Sequence, residues 1–131
     1  MNPKGLQLLV SEFHRKYGYP HENNPDFTPQ MRMFRLQLIS EEFAELVRAI
    51  KDGNTIEIAD ALGDLEYVVN GTAVTFALPL TEIVEEIHRS NMTKIPDRDN
   101  ADKPIKGPGF SPPDIYKVLY KSTNPEEEHG W

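Results

Sequence analysis

Apolar residues recur at helical spacing in four stretches of this chain. Leu6, Leu9, Val10, Phe13 and Tyr17 share a face, predicting a first helix that stops at Gly18 ahead of Pro20. Residues 19–28 are polar, with prolines and asparagines, and read as a loop. Thr28-Pro29 signals the next start, a capping hydroxyl followed by proline at the first helical position. The second helix should run to about Lys51 and end at Asp52-Gly53-Asn54. Its expected buried stripe is Ile39, Phe43, Leu46, Val47 and Ile50, which fall within an arc of about 100°. The third helix starts at Asn54 or Thr55 and runs to about Leu78, with Ile58, Leu62, Leu65, Val69 and Phe76 as its apolar face. Its small residues Ala59, Ala61, Gly63, Gly71 and Ala73 permit close helix approach. A fourth helix follows Leu80-Thr81, buries Ile83, Val84 and Ile87, and ends near Asn91 to Lys94.

Residues 96–113 are rich in proline and irregular, and a short helix over Pro113 to Tyr120 comes next. The turn between the second and third helices is only three or four residues, so the two should be antiparallel neighbours. The expected fold is all-α: four main helices in an antiparallel bundle plus a short C-terminal helix. One domain is expected over residues 1–121, with 122–131 as a frayed tail.

Composition narrows the function. The chain has 131 residues, 38% apolar and 27% charged, with net charge −7. A nucleic-acid polymer needs a basic stripe that this balance does not offer. There is no cysteine, which removes disulfides and thiolate zinc sites. No apolar run approaches the roughly 20 residues that span a bilayer, and the N-terminus lacks a signal-peptide pattern. The expectation is a cytoplasmic protein without membrane partners.

The acids are not scattered. Glu41, Glu42 and Glu45 share one face of the second helix, in an arc separate from the predicted apolar stripe. Glu57, Asp60, Asp64 and Gly71 share a line on the third helix, spanning about 60°. Two such stripes on neighbouring helices repel each other unless cations lie between them. Carboxylate oxygens without histidine suit Mg²⁺ or Mn²⁺, and disfavour zinc or a ferritin-like di-iron centre. On spacing alone, a solvated acidic face is as good a reading as a metal site. His14 is assigned no role. Phe13, Phe34 and Tyr67 read as packing aromatics, with stacking on a base as the alternative.

EExxE (Glu41, Glu42, Glu45) followed by ExxD (Glu57, Asp60), with EIADALGDLEYVVNGTA (57–73), HRSNMTK (88–94) and KGPGFSPPDI (106–115), resembles the MazG-like all-α pyrophosphohydrolases. The resembling branch is the phosphoribosyl-ATP pyrophosphohydrolase-like one, which includes phage MazZ-type dNTP diphosphohydrolases. It covers nearly the whole chain.

The resemblance implies hydrolysis of a (d)NTP to a (d)NMP and diphosphate, with two or more Mg²⁺ or Mn²⁺ ions per site. It implies a role in cleaning or controlling the nucleotide pool, with phage-type dGTP or dATP among the substrates. It implies Glu41, Glu45, Glu57 and Asp60 as metal ligands, and Glu42 as a further ligand or as the base that orients water. Glu42 and Glu45 are thus the catalytic candidates. Asp64 shares the face but lies outside ExxD, and ranks after the others. Asn91 and Lys94 are implied as ligand contacts, with Lys106, Arg35 and Gln37 as further substrate contacts. A homodimer or homotetramer is also implied. The competing reading is a non-catalytic helical module whose acidic face binds a partner.

Overall fold

The computed structural model describes residues 2–120; the tail expected over 122–131 lies outside them. The order is α1 (Leu6–Tyr17), α2 (Pro29–Asp52), α3 (Thr55–Phe76), α4 (Leu80–Asn91) and α5 (Ile115–Tyr120). The fold is all-α, with four main helices and a short fifth. Two compact units make up the chain, Met1–Leu80 and the residues from Thr81 onward.

Local chemistry sets the helix ends. Thr28 Oγ1 accepts from the Met31 N–H at 3.2 Å, with Pro29 at the first helical position. Asn54 Oδ1 accepts from the Glu57 N–H at 3.1 Å. Gly18 and Gly53 close α1 and α2 in the left-handed conformation, which a residue without Cβ adopts without strain. Ala77 closes α3 in the same region at φ 56°, close to the end expected at about Leu78.

In the first unit, α3 packs against both α2 and α1. The α2–α3 seam is built on Leu46, Ala49 and Ala61, with Ile58 and Leu65 against it. Alanines here let the backbones approach closely. The seam does not follow the predicted stripe of α2. Phe43 and Ile50, expected inside, are 58% and 56% exposed. The buried line is Arg35, Leu46 and Ala49, displaced around the helix toward Glu42. Leu62 and Val69 of α3 and Leu9, Phe13 and Tyr17 of α1 are likewise exposed.

The inward face of α1 is instead Gln7, Val10, Ser11 and His14, and three of these four are polar. Each polar one has partners. Gln7 donates to the Leu78 carbonyl at 2.7 Å and accepts from the Leu80 N–H at 3.1 Å. Ser11 donates to the Glu22 carboxylate at 2.8 Å. Arg15 pairs with the same carboxylate, which pins the 19–28 loop to α1.

In the second unit, α4 leads into a bridge between Ile95 and Ile105. Val84 and Ile87, expected inside, are exposed. Glu86 organises this unit. It receives Arg89 Nε at 2.8 Å, Arg89 Nη2 at 2.9 Å and the Asp114 N–H at 2.7 Å. Arg89 also donates to Ser111 Oγ at 3.0 Å and the Pro112 carbonyl at 3.1 Å. Among the described residues, no single helix is long and apolar enough to cross a membrane.

Candidate active site

The hairpin of α2 and α3 decides which acids meet. Glu42, Glu45 and Asp64 each present a carboxylate oxygen within 4.8 Å of the other two. Glu42 and Glu45 are one helical turn apart on α2, and Asp64 comes from α3. Glu45 and Asp64 are exposed, whereas Glu42 is half-buried. Glu42 Oε2 is buried and has no hydrogen-bond partner. Its pKa is raised, first by burial and then by the negative charges of Glu45, Asp64 and Glu41. An acceptor-only group in that position lacks a positive partner.

The remaining acids of the two motifs lie at the surface. Glu41 is exposed and accepts from Gln37 Nε2 at 3.1 Å. Glu57 sits in the first turn of α3 and is exposed, as is Asp60 one turn before Asp64. The register across the hairpin therefore gives Asp64 a nearer place in the carboxylate cluster than its position outside ExxD suggested.

The other expected substrate contacts are divided between the two units. Gln37 is engaged with Glu41. Asn91, Lys94 and Lys106 belong to the second unit. Asn91 is exposed, and its carbonyl accepts from the Lys94 N–H at 3.1 Å. Lys106 lies over the Phe110 ring, 5.1 Å from its centroid.

Arg35 is not on the surface. It is 7% exposed, donating from Nε to Thr72 Oγ1 at 3.1 Å and from Nη2 to the Val68 carbonyl at 2.9 Å. It lines a cavity of about 370 Å³ within the first unit. Phe13, Phe34 and Tyr67 stand around the same cavity, as do His14 and Tyr19. Periodicity gave no role to His14, and placed Gly71 on the acidic line of α3 without a function of its own. The one available signal was the seven-residue step that separates Gly71 from Asp64 on α3.

Residues 10–91 match the family model described as phosphoribosyl-ATP pyrophosphohydrolase. The chain belongs to that pyrophosphohydrolase family. The matched segment contains the whole α2–α3 hairpin and with it the five motif acids and Asp64. Among curated proteins, an uncharacterized protein of Acanthamoeba polyphaga mimivirus is 42% identical over 76 residues. That match takes in 54% of this chain and 30% of the viral protein, so the chain spans under a third of its relative's length.

The donor set of this pyrophosphohydrolase family member fits a hard divalent cation. Three carboxylates converge and one of their oxygens is buried without a partner, a set that a hard cation would complete.

Proposed function

We propose that this chain is a metal-dependent nucleoside triphosphate pyrophosphohydrolase, converting a (d)NTP and water to a (d)NMP and diphosphate. The carrying observation is the orphaned Oε2 of Glu42 beside Glu45 and Asp64. Glu42, Glu45 and Asp64 would hold the first Mg²⁺ or Mn²⁺. Glu41, Glu57 and Asp60 extend the acidic surface on the same two helices toward further ions. The cation supplies charge neutralisation for the triphosphate.

The chain's own task is to position water and manage its proton. Glu45 is exposed beside Glu42 and takes the proton of the attacking water. The water oxygen bonds to phosphorus as the α–β anhydride bond breaks, and diphosphate leaves. Lys94 and Lys106 are proposed contacts of the substrate's phosphates, and Asn91 a contact of its base or sugar through the side-chain amide. The pool controlled in this way includes a purine dNTP such as dGTP.

The exposed apolar side chains support assembly. Phe43, Ile50, Ile56 and Leu62 on the hairpin are each more than half exposed, more than an isolated small domain ordinarily leaves to water. A homodimer or homotetramer covers them.

The test is a panel of dNTPs and NTPs with and without Mg²⁺ or Mn²⁺, resolving diphosphate from orthophosphate. Metal-dependent release of diphosphate with a nucleoside monophosphate is expected. Orthophosphate as first product sinks the α–β cleavage. No turnover of any nucleotide favours a non-catalytic acidic module.

A further inference from the structure

Arg35 and His14 stand together over a bare backbone. A Cβ on Gly71 would sit 2.5 Å from Arg35 Nη2 and 3.2 Å from His14 Nε2. Only glycine leaves room for both. Each side chain is more than nine-tenths buried, and each lines the aromatic cavity.

Their hydrogen-bond roles follow from their other partners. His14 Nδ1 is 2.8 Å from the Pro20 carbonyl, which only accepts, so Nδ1 carries the proton. Burial leads the causes that lower the His14 pKa. The ring is therefore neutral near pH 7, and Nε2 is a free acceptor. Arg35 has five N–H donors, and two are used by Thr72 and Val68. No carboxylate pairs with it among the described residues. The guanidinium lines the cavity, so its remaining donors are open to an acceptor placed there.

A donor fork thus adjoins a neutral acceptor between aromatic walls. A phosphate is a poor occupant, since it would set its own acceptors against the His14 lone pair. A flat heterocycle with a carbonyl next to a ring N–H fits both groups. Phe13 and Tyr67 stand edge to face, 5.7 Å apart, and supply apolar contact for its plane.

The position along the hairpin supplies the second argument. Arg35 and Glu42 are seven residues apart on α2, as are Asp64 and Gly71 on α3. Seven residues is two turns, so each pair lies on one line about 10.5 Å long. Because the helices pair antiparallel, the cavity and the carboxylate cluster lie along one strip. That separation is comparable with the reach of a nucleoside from its base edge to its first phosphate.

We propose that Arg35 and His14 read the lactam edge of a nucleobase, a carbonyl beside a ring N–H, and so select guanine or uracil-type nucleotides over adenine and cytosine. Arg35 donates to the carbonyl, the preferred base partner of arginine on guanine. His14 Nε2 accepts from the adjacent N–H. Adenine has no carbonyl. Cytosine sets a ring nitrogen acceptor beside its carbonyl, opposing Nε2. The proposal rests on the pyrophosphohydrolase reading for its substrate and adds the base class.

Two measurements on the full chain separate the two ideas. Diphosphate release is ranked by kcat/KM for dGTP, dUTP, dATP and dCTP. At least about tenfold preference for dGTP and dUTP is expected, the discrimination of one good base contact. Independently, the His14 ring nitrogens are followed by NMR while dGMP, dUMP, dAMP and dCMP are added. Nε2 should shift with dGMP or dUMP and much less with the other two. In Gly71→Ala the new methyl displaces the guanidinium from the floor while the helix is kept. Its kcat/KM preference should fall to about twofold or less, through KM rather than kcat.

Turnover that favours dATP or dCTP, or ranks all four alike, overturns the base reading and leaves the hydrolase standing. A selective Nε2 shift without turnover of any triphosphate upholds the base reading and overturns the hydrolase. If Gly71→Ala fails to fold, the NMR titration of the native protein decides alone. Equal shifts with inorganic phosphate would make the cavity an anion site and overturn the proposal.

Discussion

Glu42 in α2 and Glu86 in α4 are both helical glutamates of one acidic chain, and their surroundings differ in every respect that matters. Glu86 has its oxygens filled by the Arg89 guanidinium and the Asp114 N–H. The Arg89 hydrogen bonds hold its pKa down to about 2. Glu42 faces two more carboxylates and has an oxygen with no partner, so its pKa moves up. One carboxylate is saturated by its own chain and organises a loop. The other is left incomplete, and incompleteness of a buried charge marks a place for a ligand.

The largest effect expected from this contrast is on turnover. Glu42→Gln should lower kcat by about 10–100-fold or more, because it takes a carboxylate from the proposed metal site. Its metal-free melting temperature should hold or rise, since one repelling charge is gone. Normal turnover with a lower melting temperature would make Glu42 a structural acid like Glu86.

Metal should come next. Mg²⁺ at a hundred times its dissociation constant should stabilise the native chain by about 2.7 kcal/mol, measured by chemical denaturation. Glu42→Gln should lose most of this gain and Glu86→Gln should keep it. An equal gain in both variants would place the ion elsewhere.

The pH dependence of stability should have opposite signs at the two residues. The folded pKa of Glu42 lies above its unfolded value. Its contribution is therefore present below the ordinary carboxylate range and lost as pH rises through the raised value. The folded pKa of Glu86 is depressed, so its contribution is present above that range and lost as pH falls toward about 2. Urea midpoints across pH for the native chain and both variants would separate the slopes. Added Mg²⁺ should flatten only the Glu42 part, because the cation takes the place of the proton.

The smallest effect concerns Glu86→Gln itself. It should lower the melting temperature by a few degrees and leave kcat within about twofold, since exposed ion pairs contribute little. A large loss of turnover there would join the two regions in one function.

Much of the fold was readable before any coordinates. Thr28, Asn54, Gly18 and Gly53 mark helix ends because capping is local, a matter of one side chain and the nearest N–H or carbonyl groups. The buried faces were harder. Phe43 and Ile50 look like core by period, yet the seam forms on Leu46, Ala49 and Ala61, where small side chains let α2 and α3 close. Periodicity locates an apolar arc but does not say whether α3, water or another chain covers it. The polar inner face of α1 was invisible for the same reason. Gln7 is buried because Leu78 and Leu80 meet it from more than 70 residues away, and Ser11 and His14 because the following loop folds Glu22 and Pro20 back onto them.

By itself, the sequence determined an all-α chain, the limits of its helices, the antiparallel pairing of α2 with α3, and an acidic surface on both. These depend on caps, turn length and residue type, all local along the chain. Only the tertiary structure decided that Asp64 joins Glu42 and Glu45, and that Arg35 and His14 meet over Gly71. Those choices depend on the register and rotation of separate helices against one another. A shift of one residue turns a helix face by about 100°, so side-chain packing across the seam, and not the motif, selects which groups converge.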